Sequence, residues 1–285
     1  MAFFMRILVT GASGFVGSRL VQILSEKHDV IALSRNRVEN SHKVTWIAGQ
    51  YHTDDLLKLN EFQFDCVVHL AAVLSGFEDT YTVNTNAFGT WRLLRYCIDR
   101  GCKKYILASS IAAVGCLSEA FMPFNIPIRE EHPCIPADAY GLSKALMEDI
   151  ARFFCRSNPD ISINILRYGA IQDFTSWRPS ADTFFKRPFL ELAFVDREDV
   201  VEATEAAIDY QKPVGVHVYN VTAPAATCGK PTKDVLISAL GKKADDYDFS
   251  YFEKEGKEYA PIYTIEKMQS ELHFSPKRMP YEKTQ

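Results

Sequence analysis

The sequence predicts an α/β fold: a doubly wound parallel sheet with a smaller C-terminal substrate-binding lobe. Three observations carry this expectation. Short continuous apolar runs alternate with helix-like segments through the first half of the chain. Three glycines at intervals of three follow the first run. After Gly169 the alternation gives way to "QDFTSWRPSADTFFKRP", a mixture of Pro, Ser and aromatic residues suited to a binding lobe. Apolar runs without polar alternation mark strands buried on both faces, as in a parallel sheet covered by helices.

The elements follow in chain order. "RILVT" is a first strand, and a helix runs from Phe15 to about Lys27. "DVIALS", "VTWIAG" and "DCVVHLAA" read as strands, "GTWRLLRYCIDR" as a helix and "KYILASS" as the fifth strand. From Ala139 to about Ser157 a helix carries Leu142, Leu146, Ile150 and Phe153 along one stripe, beside Ala145, Ala151 and Phe154. So wide an apolar arc suits a sheet on one flank and a partner subunit on the other. "ISINILRYG" is the sixth strand. A boundary near residue 166 divides the chain into 1–165 and a lobe of 166–285. Within the lobe about 199–222, spanning "DVVEATEAAIDY" and "GVHVYNVT", is expected to rejoin the sheet.

At 285 residues the chain is enzyme-sized and able to bury a sizeable core. Hydrophobic residues make up 47% and charged ones 24%, without a run of the roughly 18 apolar residues that a membrane span needs. "MAFFMRILVTG" enters the first strand directly, with no room for a signal peptide, so a cytoplasmic location is expected. Seven cysteines without a Cys-x-x-Cys pair suit reduced thiols. No two histidines have metal-ligand spacing, so no metal is expected. A net charge of −4 gives no basic footprint for nucleic acid and points to a small-molecule partner.

The glycine stretch is "TGASGFVG", with Gly11, Gly14 and Gly17 between a strand and a helix. Glycine there lets backbone approach a pyrophosphate, which the free N–H groups of the helix N-terminus stabilise. This predicts a dinucleotide site in 1–165, with Ser13 offering a further hydrogen bond. An acid about 20 residues on usually holds the ribose hydroxyls of NAD, whereas arginine suits a 2′-phosphate. Here the second strand ends "ALSRNR", placing Ser34, Arg35 and Arg37 in that region. NADP(H) is therefore the favoured cofactor and NAD(H) the alternative.

In "YGLSK", Tyr140 precedes Lys144 by four residues, so both lie on one helix face. An ammonium beside a phenol lowers its pKa from about 10 towards working pH, which would make Tyr140 a general acid or base. The same spacing recurs at Tyr263 and Lys267, without a serine strand upstream, and reads as packing.

With the glycine loop, "HLAA" (69–72), "NAFGT" (86–90), "SSIAAVG" (109–115) and "YGLSK" in order, the chain resembles the extended short-chain dehydrogenase/reductases, the NAD(P)-dependent epimerase/dehydratase group. The resemblance implies a Rossmann-like domain, Tyr140, Lys144 and Ser110 as catalytic residues, and a homodimer through Trp91–Ile98 and Leu142–Phe154. It further implies cofactor contacts from Gly11, Ser13, Gly14, Phe15, Gly17, Leu70, Ala71, Ala72 and Asn86, and from Lys144 to the nicotinamide ribose. His69 reads as a satisfied strand-end residue lining the cofactor pocket.

Departures from the family pattern concern the substrate. Ala170 stands where an asparagine often contacts phosphate, "FEKEGKEYAPIY" lacks the usual diphosphate-gripping arginine, and Gln50 replaces an adenine-contacting aspartate. Arg178, Lys186 and Arg187 are candidates for an anionic substrate. The leading expectation is an NADP(H)-dependent oxidoreductase working at a carbonyl or alcohol carbon of a sugar, sugar nucleotide or related small molecule. The alternatives are an NAD-dependent sugar-nucleotide 4-epimerase and a non-catalytic nicotinamide-binding regulatory protein.

Overall fold

The computed structural model describes residues 4–36, 44–179, 186–210 and 213–281. The strands are β1 (Arg6–Thr10), β2 (Asp29–Ser34), β3 (Val44–Ala48), β4 (Cys66–His69), β5 (Lys104–Ser110), β6 (Ser162–Tyr168), β7 (Ala170–Gln172), β8 (Phe194–Asp196) and β9 (Gly215–Val221). Seven of them form one parallel sheet in the order β3-β2-β1-β4-β5-β6-β9. β7 and β8 make a short parallel pair. The order reverses between β1 and β4, and in such sheets the crevice at the carboxyl ends beside that reversal is where ligands bind.

Period-two alternation divides each strand between two apolar layers. Ile7 and Val9 of β1 join α1 (Gly17–Leu24) and the later helix Arg197–Asp209 in one core, while Leu8 faces the other. That second core contains α3 (Gly89–Asp99) and α4 (Ala139–Ser157). α2 (Asp79–Val83) runs into α3 through one π-helical turn over Asn84–Phe88. In chain order the remaining helices are α5 (Pro188–Glu191), α6 (the Arg197–Asp209 helix), α7 (Thr232–Leu240) and α8 (Glu266–Glu271).

The expected strands are present, and the apolar arc of α4 is divided between a flank on the sheet, with Ala145, Ala151 and Phe154, and an exposed one. Its inward face carries Gly141, Lys144, Met147, Glu148, Ala151 and Phe154, whereas Leu142 and Phe153 are 43% and 47% exposed. Polar side chains occupy core-facing positions here because partners on the sheet receive them, as described below.

Close packing at the glycine turn fixes where the sheet meets α1. Gly11 has φ +70°, and a Cβ there would stand 2.6 Å from the backbone nitrogen of Ala71. A Cβ at Gly17 would stand 2.1 Å from the Gly11 carbonyl oxygen, which is backbone and cannot swing away. Gly17→Ala should therefore cost about 1–3 kcal/mol, read as a lower midpoint of urea unfolding with an unchanged slope.

Candidate active site

A cavity of about 200 Å³ opens at the carboxyl ends of β1, β2 and β4. Its walls include Gly11, Ser13 and Gly14 of the turn, Ser34 at the end of β2 with Arg35 after it, and Leu70, Ala71 and Ala72 after β4. The turn closes through the Gly14 N–H to the Gly11 carbonyl at 3.0 Å. The Ser13 and Ser34 hydroxyls meet at 2.5 Å, and Arg35 is exposed at the rim. α1 has no side-chain cap and no acidic residue in its first turn. Its leading N–H groups are thus suited to an anion, and the cradle left by the missing Cβ atoms fits a pyrophosphate.

Gln50, Tyr51 and His52 after β3, with Val73, Tyr81 and Thr85, complete the wall. Of these only Gln50 had a sequence signal, its position beside the third strand. The others come from separated segments without a shared motif. Tyr51 is fixed by donating its hydroxyl to the Thr85 carbonyl at 2.9 Å.

Several expected contacts fall elsewhere. Phe15 and Gly17 lie outside the cavity wall: Gly17 is packed, and Phe15 is half exposed with the Arg197 guanidinium 5.0 Å from its ring centre. Asn86 is buried behind the wall and uses its amide internally. It accepts from the Val73 N–H at 2.7 Å and donates to the Val73 carbonyl at 2.8 Å and to the Ser143 hydroxyl at 3.0 Å. Arg37 lies outside the described residues.

His69 is also behind the wall rather than in it. The Thr90 hydroxyl donates to the Asn86 carbonyl at 2.6 Å, so it accepts from His69 Nε2–H at 2.9 Å. That leaves His69 Nδ1 to accept from Thr10 at 2.6 Å. Burial, with Lys144 adding to it, pushes the imidazole down to about 3, so His69 stays neutral. It spaces β1, β4 and α3 and supplies no titrating group.

Ser110, Tyr140 and Lys144 come together where β5 meets the start of α4. Asp138 caps the helix, its Oδ1 accepting from the Gly141 N–H at 2.8 Å. Gly141 allows the approach, because a Cβ there would stand 2.5 Å from the Ala112 carbonyl oxygen. Lys144 is 4% exposed, donates from Nζ to the Ala108 carbonyl at 2.7 Å, and sits 5.7 Å from the centre of the Tyr140 ring.

The electrostatics differ from the expected proximity effect. Burial pushes the Tyr140 phenol up to about 12, opposed by the hydrogen bond with Ser110. Lys144 is committed to a backbone carbonyl and lies beside the ring, so it does not lower the phenol. Burial instead draws Lys144 down to about 8, with the Glu148 carboxylate acting to raise it.

Of the basic candidates of the lobe, Arg178 has its side chain engaged. Arg178 donates to the Trp177 carbonyl at 2.7 Å and to the Phe174 carbonyl. Lys257 bonds Glu266 at 2.9 Å. The Arg187 backbone is held by Glu191 at 3.2 Å, and Lys186 is exposed. Tyr263 is buried in the lobe core, while Lys267 lies 5.3 Å from the centre of the Tyr219 ring, so their spacing belongs to packing. Among the described residues there is no cluster able to hold a metal ion and no helix long and apolar enough to cross a membrane.

Fold and site together define the extended short-chain dehydrogenase/reductase class. The model of the NAD dependent epimerase/dehydratase family matches residues 7–171, more than half of the chain, and the chain belongs to that family. UDP-glucose 4-epimerase 2 of Oryza sativa subsp. japonica is 31% identical over 185 residues, covering 57% of this chain and 43% of that protein. A putative UDP-glucose 4-epimerase of Methanocaldococcus jannaschii is 32% identical over 175 residues, covering 58% and 55%. The chain spans about half the length of the curated relatives it matches.

Solved structures match along almost the whole fold. A short-chain dehydrogenase/reductase superfamily protein from Agrobacterium tumefaciens with bound NAD has a TM-score of 0.71 at 23% identity, covering 96% of this chain and 93% of that one. The UDP-glucose 4-epimerase from Bifidobacterium longum in complex with NAD+ and UDP has a TM-score of 0.70 at 21% identity, covering 96% and 94%.

Because the folded pKa of Lys144 lies below its unfolded value of 10.5, its burial penalty is fully present below pH 8 and vanishes above 10.5. Relative to the wild type, Lys144→Met should therefore be about 3 kcal/mol more favourable at pH 7 than above pH 10.5. The gain should shrink steadily between pH 8 and 10.5, as measured by urea unfolding across that range.

Proposed function

We propose that this chain is a cytoplasmic NADP(H)-dependent oxidoreductase that reduces a carbonyl of a sugar or sugar-like small molecule, with Tyr140, Lys144 and Ser110 as its catalytic residues. The observation that carries the reading is their assembly at the carboxyl ends of the sheet. Ser110 lies close enough to the Tyr140 phenol to act on it, and Lys144 is buried beside the Tyr140 ring.

Bound nicotinamide supplies the hydride. The protein supplies the proton: a phenol held at about 12 stays protonated at neutral pH and is prepared to donate to a substrate oxygen. Ser110 holds that oxygen. Lys144, buried beside the Tyr140 ring, would hold the nicotinamide ribose. Gly11, Gly14 and the start of α1 receive the pyrophosphate. Ser34 takes the place of a ribose-binding acid, and Arg35 at the rim supports a 2′-phosphate.

The engaged lysine at 257 and the lack of an arginine in "FEKEGKEYAPIY" support a substrate without a nucleotide diphosphate. A second reading, 4-epimerisation of a UDP-sugar with retained NAD, is favoured by the names of the relatives. Exposed Phe88, Trp91, Leu142 and Phe153 on α3 and α4 and the turn before them support a homodimer through those helices.

Thermal shift with NADPH, NADP+, NADH and NAD+ tests the cofactor. At 100-fold saturation the expected stabilisation is about 2.7 kcal/mol, confined to the phosphorylated pair. NAD released on denaturation, with no response to NADPH, would establish the epimerase reading instead. Arg35→Ser should weaken NADPH binding by about tenfold or more and leave NADH unchanged, as measured by fluorescence titration. Tyr140→Phe should bind NADPH normally and lose about 10²–10⁴ in kcat, followed as NADPH oxidation over a panel of aldoses and ketoses.

A further inference from the structure

Glu148 is a second polar intruder on the inward face of α4, one turn beyond Lys144 and two beyond Tyr140. Its side chain has no solvent exposure. Oε1 accepts from the Ser109 hydroxyl at 2.8 Å and from Arg167 Nε at 2.8 Å. Oε2 accepts from Arg167 Nη2 at 2.9 Å and from Arg152 at 3.2 Å. Arg167, itself 1% exposed, also donates to the Glu130 carbonyl at 3.0 Å. Burial works against the carboxylate, but Arg167 and the Ser109 hydroxyl outweigh it and hold Glu148 below its ordinary value. It is therefore a fixed negative charge at neutral pH.

The strand residues that receive this helix are consecutive. Ala108 takes Lys144, Ser109 takes Glu148 and Ser110 meets Tyr140. The geometry points to Glu148 as a positioning residue: clamped by Arg167 and Ser109, its carboxylate keeps the buried Lys144 an ammonium and fixes the register of α4 on β5. Among the described residues the groups facing Lys144 are few. From α4 they are Tyr140 and Glu148, from β4 the neutral His69, and from β5 the Ala108 carbonyl. Glu148 is the carboxylate among them. The groups facing Glu148 are Arg167 from β6, Arg152 from its own helix, Ser109 from β5 and the Cys134 thiol at 3.9 Å. The inference rests on the reading of Lys144 as a working ammonium, and its test reads that charge without cofactor or substrate.

The test is a pH titration of the protein labelled with [13C]lysine, followed by NMR, with the Lys144 resonance assigned by its absence in Lys144→Met. The wild-type midpoint is expected near 8. Glu148→Gln keeps the shape and one acceptor but removes the charge, and should lower the midpoint by about one pH unit or more. A folded Glu148→Gln protein with an unchanged midpoint overturns the proposal, since a merely structural role would lower the melting temperature alone. Where the Gln variant does not fold, Glu148→Asp keeps the charge for Arg167 but withdraws it by one methylene. A lowered midpoint then supports the proposal and an unchanged one overturns it. NADPH affinity at pH 7 and 9 on the same proteins separates the two readings. A fallen midpoint with unaltered affinity sustains the role of Glu148 and removes Lys144 from the cofactor site.

Discussion

The site depends on an interface that packs polar groups where a helix ordinarily places apolar ones. α4 lies on β5 through Tyr140, Lys144 and Glu148, and removing two ionised groups from water costs several kcal/mol each unless partners replace the solvent. Arg167, Ser109 and the Ala108 carbonyl are those partners. Each comes from a strand whose position is fixed by pairing on both edges, β5 between β4 and β6, and β6 between β5 and β9. The parallel sheet therefore acts as the rigid member against which the charged face of the helix is set, and geometry at Tyr140 follows from backbone register rather than from side-chain flexibility.

The cofactor half obeys a different constraint, that of close backbone approach. At Gly11 and Gly17 the limiting contacts are backbone atoms of the β4 loop and of the turn itself. The His69 chain, from Thr10 through the imidazole to Thr90 and the Asn86 carbonyl, extends the same clamp behind the groove. Asn86 then ties the loop after β4 to Ser143 on α4. Groove and helix α4 are joined through that amide, so the floor of the groove and the face bearing Tyr140 share one hydrogen-bonded frame.

Much of this was legible in the sequence because its causes are local. Strands buried on both faces read as continuous apolar runs, and the glycine turn reads from its spacing between strand and helix. What escaped was set by tertiary surroundings. The outward flank through Leu142 and Phe153 follows the pattern, but Lys144 and Glu148 on the inward face have no apolar signal to mark them. Periodicity counts apolar residues and is blind to a lysine whose partner is a carbonyl in another strand. The direction of the Tyr140 shift failed for the same reason, since burial is a property of the packed helix and not of its spacing from Lys144. Asn86 was recognisable by motif, but its use of both amide atoms within the loop depends on Val73, thirteen residues away.

The lobe is bound into the same frame. Glu130, whose carbonyl accepts from Arg167, accepts through its own carboxylate from the Asn220 N–H of β9 at 3.0 Å. Ile128 donates to the Ile262 carbonyl at 2.7 Å and accepts from the Thr264 N–H at 3.0 Å, joining the segment before α4 to the chain before α8. A path of hydrogen bonds thus runs from Ile128 through Asn220 and Glu130 to Arg167, and from there to Glu148 and Ser109. Movement of the lobe against the sheet would have to break buried backbone bonds, each costly to leave unmade.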